Sequence, residues 1–348
     1  MAGRTFHAPL IQACTELDLT AVVSRNAERV LRDLPGVEVL RRLEDLLERD
    51  AIDLVVIATP NATHFDTAQA AIEAGKHVVV DKPFTLTLAE ARQLEAQASA
   101  ARRLLSVFHN RRWDSDFLTL KAMLEAETLG RVVSLESRFD RFWPSVTDQW
   151  RDQSQPGAGI WYDLGPHLLD QARALFGMPR EILLDLVTMR DGAEVDDHFF
   201  VLLKYDRLRV SLSAGSLVAE PTPRFRVHGT RGSYVTYGLD PQEAWLRQGR
   251  APTPYWGLDP SPGGLRLDEG KNTLVDRAVT AIPGDYCAFY AGIAAALQKG
   301  TPSPVTPSEA IEVMLLLEKG LDSDYHGRWV KFQESGKTPL ESCCDSLT

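Results

Sequence analysis

Cysteine is scarce in this chain: Cys14, Cys287, Cys343 and Cys344 are the whole set, and none stands in a C-x-x-C spacing. Neither a disulfide scaffold nor a thiolate metal site is expected from such usage, which fits a reducing, cytoplasmic compartment. Long apolar runs are also lacking. No stretch approaches the ~20 residues that span a bilayer, and the start has no apolar signal-peptide core. Positive charge is in deficit, with 38 Lys and Arg against 48 Asp and Glu for a formal net charge of -10. A surface for nucleic acid or for an anionic membrane is therefore not expected. No internal repeat is found.

What is present reads as a globular protein of two domains. The 348 residues are 44% hydrophobic and 25% charged, enough for two cores. Strand and helix signals alternate through the first third. Leu17 to Val23, Val37 to Leu40, Leu54 to Ala58, Val78 to Val80 and Leu105 to Phe108 read as strands. Between them Ala27 to Asp33, Arg42 to Arg49, His64 to Ala74 and Leu88 to Ala101 read as helices, the last capped by Thr87 with Glu90 three residues on. Repeated βα units predict a doubly wound parallel sheet of the Rossmann type over residues 1–108.

Such a fold opens with a strand, then G-x-G-x-x-G, then a helix whose N-terminus faces a pyrophosphate. Here Met1-Ala2-Gly3-Arg4 runs straight into a helical segment, Phe6 to Cys14. Gly3 is either the last glycine of that motif or a flexible terminal residue. The first is favoured, with the first strand and two glycines expected upstream of this chain.

Past Phe108 the pattern changes. A helix from about Asp116 to Ala126 precedes six longer strand candidates: Arg131 to Phe142, Ile182 to Arg190, Phe199 to Tyr205, Leu208 to Ser216, Phe225 to Gly229 and Ser233 to Tyr237. Strands without crossover helices predict a mostly antiparallel sheet, hence an α+β domain over 109–333. Gly249 to Gly284, rich in Pro, Gly and charge, is expected to be a long surface loop. Helices follow at Tyr286 to Gln298 and Pro307 to Gly320, and residues 334–348 form a polar tail.

Chemistry is expected at the carboxyl ends of the parallel strands, where open α/β sheets collect ligands. His77-Val78-Val79-Val80-Asp81-Lys82-Pro83 places Asp81 and Lys82 there, with Pro83 constraining the lysine. A solvated charge pair is the alternative. Ser24-Arg25-Asn26 ends the first strand without a carboxylate; an arginine suits the 2′-phosphate of NADP rather than the bare ribose of NAD, unless Arg25 is only a surface cation at a helix start. Thr59-Pro60-Asn61-Ala62-Thr63-His64 follows the Leu54 to Ala58 strand, and Asn61 or Thr63 either caps the next helix or lies against the cofactor. In Gly157-Ala158-Gly159-Ile160-Trp161-Tyr162-Asp163-Leu164-Gly165-Pro166-His167-Leu168-Leu169-Asp170, Pro166 suits a first helical turn, and Asp163, His167 and Asp170 would share one face. Three readings stand: a buried Asp-His pair locking the helix start, a metal site short of ligands, and an acid–base pair.

The ordered set Asp81-Lys82-Pro83, Val55 to His64, Val107 to Asp114 and Gly157 to His167 resembles the glucose–fructose oxidoreductase and inositol dehydrogenase family of NAD(P)-dependent oxidoreductases. The likeness runs from Gly3 to about Arg328 and thins over 249–284; many members carry Glu where Asp81 stands. The resemblance implies that Lys82 meets the reacting oxygen beside the nicotinamide and that His167 is the acid–base group, held by Asp163. It further implies a cofactor surface of Gly3, Ser24, Arg25, Thr59, Pro60, Asn61, His64, Asp81, Lys82, Asn110, Trp150 and Arg151, with no metal. The expected activity is hydride transfer between NADP (NAD as the alternative) and a hydroxyl or keto carbon of a sugar, polyol or similar small molecule. A homodimer or larger homo-oligomer is implied as well. The competing readings are a non-catalytic dinucleotide sensor and an inactive truncated homologue.

Overall fold

The computed structural model describes residues 2–146, 153–253 and 256–332. In the first third, β1 (Ala21–Val23) pairs in parallel with β2 (Glu38–Leu40). β3 (Leu54–Ile57), β4 (His77–Val80) and β5 (Leu105–Val107) form a separate parallel sheet in that order. Helices α2 (Ala27–Asp33), α3 (Leu43–Leu47), α4 (His64–Glu73) and α5 (Leu88–Ala101) connect them. β4 is fully buried at Val78, Val79 and Val80, as a β-branched run between two neighbours requires. The capping box of α5 is present in full: Thr87 accepts the Glu90 N–H and Glu90 accepts the Thr87 N–H.

Among the described residues no strand precedes the π-helical segment Gly3–His7 and its continuation α1 (Ala8–Gln12), and the parallel strands fall into two sheets instead of one. This helical unit lies across both. Arg4 pairs with Asp33 at 3.0 Å at the end of α2, while Gly3 faces Ala58 beyond β3. The first strand begins only at Ala21, because the Leu17 N–H is spent on a turn to the Cys14 carbonyl.

The second half is a nine-stranded sheet in the order β13-β12-β11-β10-β6-β9-β8-β7-β14. Its strands are β6 (Val132–Arg138), β7 (Glu181–Val187), β8 (His198–Lys204), β9 (Arg209–Gly215), β10 (Pro223–Gly229), β11 (Gly232–Tyr237), β12 (Gly264–Asp268), β13 (Leu274–Arg277) and β14 (Val330–Lys331). All pairs are antiparallel except β6 with β9. The expected loop over 249–284 is corrected here: β12 and β13 form a hairpin inside it. Leu265 and Leu267 turn inward between exposed neighbours, Arg266 pairs with Asp276 across the strands at 2.7 Å, and Gly270, Lys271 and Asn272 take the positive φ of the turn. Also unforeseen was the short helix α8 (Gln242–Arg247).

One face of this sheet is covered by α7 (Ile160–Phe176) and α10 (Pro307–His326), with α6 (Ser115–Glu125) and α9 (Cys287–Lys299) completing the domain. The last helix runs six residues beyond the expected Gly320 and ties the halves together. Its Glu318 accepts the Leu88 N–H, and the Val305 carbonyl just before it accepts the buried Ser106 hydroxyl. The expected position of Pro166 is also corrected. Helix α7 starts at Ile160, so Pro166 lies inside it and supplies no N–H to the carbonyl four residues back.

Candidate active site

The ends of β3, β4 and β5 open onto one cavity of about 730 Å³, closed on its far side by α7 and the second sheet. β3 delivers Thr59, Pro60 and Asn61, β4 delivers Asp81 and Lys82, and β5 delivers Asn110, while the first turns of α7 bring Asp163 and His167 from the other domain. Asn61 joins the two halves by donating to the Gly157 carbonyl at 2.9 Å, so its side chain does not cap the following helix.

Lys82 is the centre of the polar arrangement. Its Nζ donates to the Asp163 carboxylate at 2.8 Å and to the Asp163 backbone carbonyl at 2.6 Å, in the first turn of α7. The Lys82 N–H bonds to Asp81 Oδ1 at 2.8 Å, and the Lys82-Pro83 peptide is cis. Behind Asp81 stands buried His7, with Nε2 at 3.7 Å from Oδ2 and Nδ1 at 2.6 Å from the Tyr290 hydroxyl. Burial opposes the charge of Asp81, but the nearby His7 ring and the Lys82 side chain hold its pKa below the ordinary range.

His167 reaches the cavity while its Nδ1 is buried without a hydrogen-bond partner. Burial, then the charges of Lys82, Arg111, His109 and Arg224, push its pKa well below 6.5, so the ring is neutral at neutral pH. Lys82, Asp163 and His167 therefore meet as an ammonium, a carboxylate and a neutral imidazole. That set can stabilise a developing alkoxide and exchange its proton.

The remaining expected residues divide. Ala2 and Phe6 of the N-terminal segment line the cavity and Gly3 sits between them, where a Cβ would meet Ala58 only at ordinary contact. Ser24 and exposed Arg25 lie outside the cavity lining; the Ser24 hydroxyl accepts the Asn26 N–H, and Asn26 caps α2. His64 does not reach the cavity. Its buried ring lies between the carbonyls of Pro83, 2.8 Å from Nδ1, and Thr59, 3.0 Å from Nε2, and braces the two cavity loops. Trp150 and Arg151 lie outside the described residues. Asp170, placed on the same helical face as Asp163 and His167, turns instead to Arg112, accepting from its Nη2 at 2.6 Å and its Nε at 2.9 Å. Among the described residues no three His, Cys, Asp or Glu side chains are arranged for a metal, and no helix is long and apolar enough to cross a membrane.

Sequence reasoning missed the far wall: Arg141, Phe142, Trp143, Arg190 and Arg247. These come from the segments that follow β6 and β7 and from α8, and only the fold brings them together. A G-x-G pair before α7 carried a readable signal. Gly159 caps the helix at φ +86°, and a Cβ there would collide with the Asp196 carboxylate that accepts the Trp161 N–H at 2.7 Å. Gly159→Ala is expected to lose about 1–3 kcal/mol of stability from strain and a disturbed helix start, read from urea midpoints.

The cavity suits a dinucleotide. Parallel strand ends and a helical N-terminus with free N–H groups border it, and Asn61 and Asn110 offer amide contacts. Comparison with known proteins agrees. The model of an oxidoreductase family's NAD-binding Rossmann fold matches residues 1–109, and the model of that family's C-terminal alpha/beta domain matches residues 121–332. The uncharacterized oxidoreductase YdgJ of Escherichia coli K12 is 51% identical over 93% of this chain and 94% of its own length. The scyllo-inositol 2-dehydrogenase (NADP(+)) IolW of Bacillus subtilis is 35% identical over 96% of this chain and 94% of its own. A protein of solved structure from Yersinia pestis, 48% identical, superposes with a TM-score of 0.92 over 95% of this chain and 94% of that one.

Proposed function

This chain belongs to the glucose–fructose oxidoreductase and inositol dehydrogenase family of NAD(P)-dependent oxidoreductases, and from that premise we propose that it is an NADP-dependent dehydrogenase of a sugar or polyol. The observation that carries the reading is the meeting of Lys82, Asp163 and His167 at the closed end of a cavity bordered by parallel strand ends. A bound nicotinamide takes or gives the hydride. In the direction of oxidation, the substrate hydroxyl lies between Lys82 Nζ and His167 Nε2. As its carbon loses hydride, the hydroxyl proton passes to Nε2 and the ammonium stabilises the negative charge left on oxygen. Asp163 holds the Lys82 side chain aimed. Asn61 and Asn110 hold the nicotinamide end, and Arg25 at the tip of β1 takes the 2′-phosphate.

The NADP(+) in the name of IolW supports the cofactor, and its inositol substrate supports a polyhydroxylated ring. A cytoplasmic homo-oligomer belongs to the same reading. The outer face of the nine-stranded sheet, where Phe200 is exposed and Leu183 and Leu202 are half-buried, would receive a second copy. Fluorescence titration with NADPH and NADH, followed by turnover on a panel of polyols and aldoses, tests the proposal. NADPH is expected to bind more tightly, and Arg25→Ala to weaken NADPH about tenfold or more while leaving NADH nearly unchanged. Equal losses for the two cofactors would remove Arg25 from the phosphate. NADPH binding without turnover on any member of the panel would favour a dinucleotide sensor.

A further inference from the structure

Behind His167 lies a buried polar cluster that the reaction so far does not use. Among the described residues, the buried side-chain nitrogens with no hydrogen-bond partner include both ring nitrogens of His109, Nδ1 of His167, Nε of Arg111 and Nε of Arg224. These belong to one neighbourhood. Gln171, one turn beyond His167 on α7, donates to the Arg111 carbonyl at 2.8 Å and accepts from Arg224 Nη2 at 2.6 Å. Asp170 beside it grips Arg112, so residues 109–112 and 167–171 are stitched face to face. Phe108 and Asn110 line the cavity, and His109 between them does not. A neutral imidazole has one N–H and one lone pair. Leaving such groups buried without a hydrogen bond costs about 1–3 kcal/mol each, so several of them in one neighbourhood call for internal water.

We infer that a water-linked path runs from His167 Nδ1 to His109, and that His109 receives the proton His167 takes from substrate. His109 touches neither substrate nor cofactor and acts through His167, so this inference rests on the acid–base reading of that residue. The proton count closes. The substrate O–H proton reaches Nε2, the Nδ1 proton leaves to water, and that water passes one of its own to His109. After product release the proton returns by the same route to Nε2 and the open cavity. The surrounding charges set the direction. His167 is faced by Lys82, Arg111, Arg224 and His109 itself, all of which disfavour an imidazolium. Burial lowers the pKa of His109 too, and Arg112 and Lys82 add to that, but the carboxylates of Asp170 and Glu309 oppose it, a counterweight that no carboxylate supplies among the leading influences on His167.

His109→Phe keeps the volume and removes both nitrogens, while His109→Gln keeps hydrogen-bonding capacity without an ionisable ring. Both are expected to lower kcat for alcohol oxidation about tenfold or more, within the range of proton-transfer assistance, with KM and NADPH affinity nearly unchanged. The solvent deuterium isotope effect on kcat should rise, because proton movement becomes limiting. Wild-type kcat and an unaltered isotope effect in either folded variant would overturn the inference; full activity in His109→Gln alone would make the residue a hydrogen-bonding filler and overturn it equally. A crystal structure with ordered water between His167 Nδ1 and His109 supports it, and a dry cluster refutes it. His167→Ala, measured alongside, separates the two levels: undiminished turnover there would sink the acid–base reading itself.

Discussion

Lys82→Ala is expected to lower kcat about 10²–10³-fold, the loss typical of removing one preorganised donor from a developing oxyanion. NADPH affinity should change little, because the lysine side chain spends its hydrogen bonds on Asp163. The loss should appear in kcat and kcat/KM together, the pattern of an interaction made in the transition state. Lys82→Arg should rescue little. A guanidinium fork placed against one carboxylate and one backbone carbonyl would push its plane into the space of the substrate oxygen, and it is not interchangeable with a compact ammonium. Steady-state kinetics beside a cofactor titration decide the matter. A kcat near that of the wild type in Lys82→Ala would remove the residue from the reacting oxygen, whatever the geometry around it.

Wherever one physical signal dominated, the fold was legible in the sequence. The buried strand at Val78, Val79 and Val80, the capping box of Thr87 and Glu90, and helix α2 are local patterns that tertiary contacts reinforce. The β12–β13 hairpin was hidden because the prolines and glycines on either side of it set the average composition of the segment. Pro166 was placed too early because proline statistics favour a first turn. Here the glycine at 159 starts the helix six residues sooner, which leaves Pro166 in its interior.

At the site, the residues following buried strands were readable because parallel sheets put strand ends in one place. His64 carried the same positional signal yet serves as a brace between two backbone carbonyls, a distinction that only its burial reveals. Arg111 shows the opposite failure. Nothing in two successive arginines marks one of them for burial. In the fold it is buried over the Phe139 ring, donating to Glu243 at 2.5 Å and pairing with Asp114, and its charge helps keep His167 neutral. No local pattern encodes partners 132 residues away.

His167→Ala is expected to lower kcat about 10²–10⁴-fold, the span of general acid–base assistance, and to change the pH profile as well. In the wild-type protein burial and four neighbouring cationic or imidazole groups hold the ring neutral well below its ordinary pKa. Oxidation should therefore stay level as pH falls past about 6.5 and decline only in stronger acid, and that acid limb should vanish in the variant. Stability gives a second readout with a definite sign. A histidine whose folded pKa is depressed contributes stability that is full above its unfolded pKa of about 6.5 and is lost as pH falls through the folded value. His109, also depressed by burial, adds in the same direction. The buried carboxylate of Asp240 acts oppositely: burial and Asp114 raise its pKa to about 7, so its contribution is full in acid and is lost as pH rises through that value. Urea midpoints at about pH 5.5 and 7.5 separate them. Removing His167 should shrink the loss on acidification while leaving the loss on the alkaline side intact. An unchanged pH dependence in His167→Ala would mean that the imidazole titrates normally, and its service as a neutral base at the cavity would then have to be abandoned.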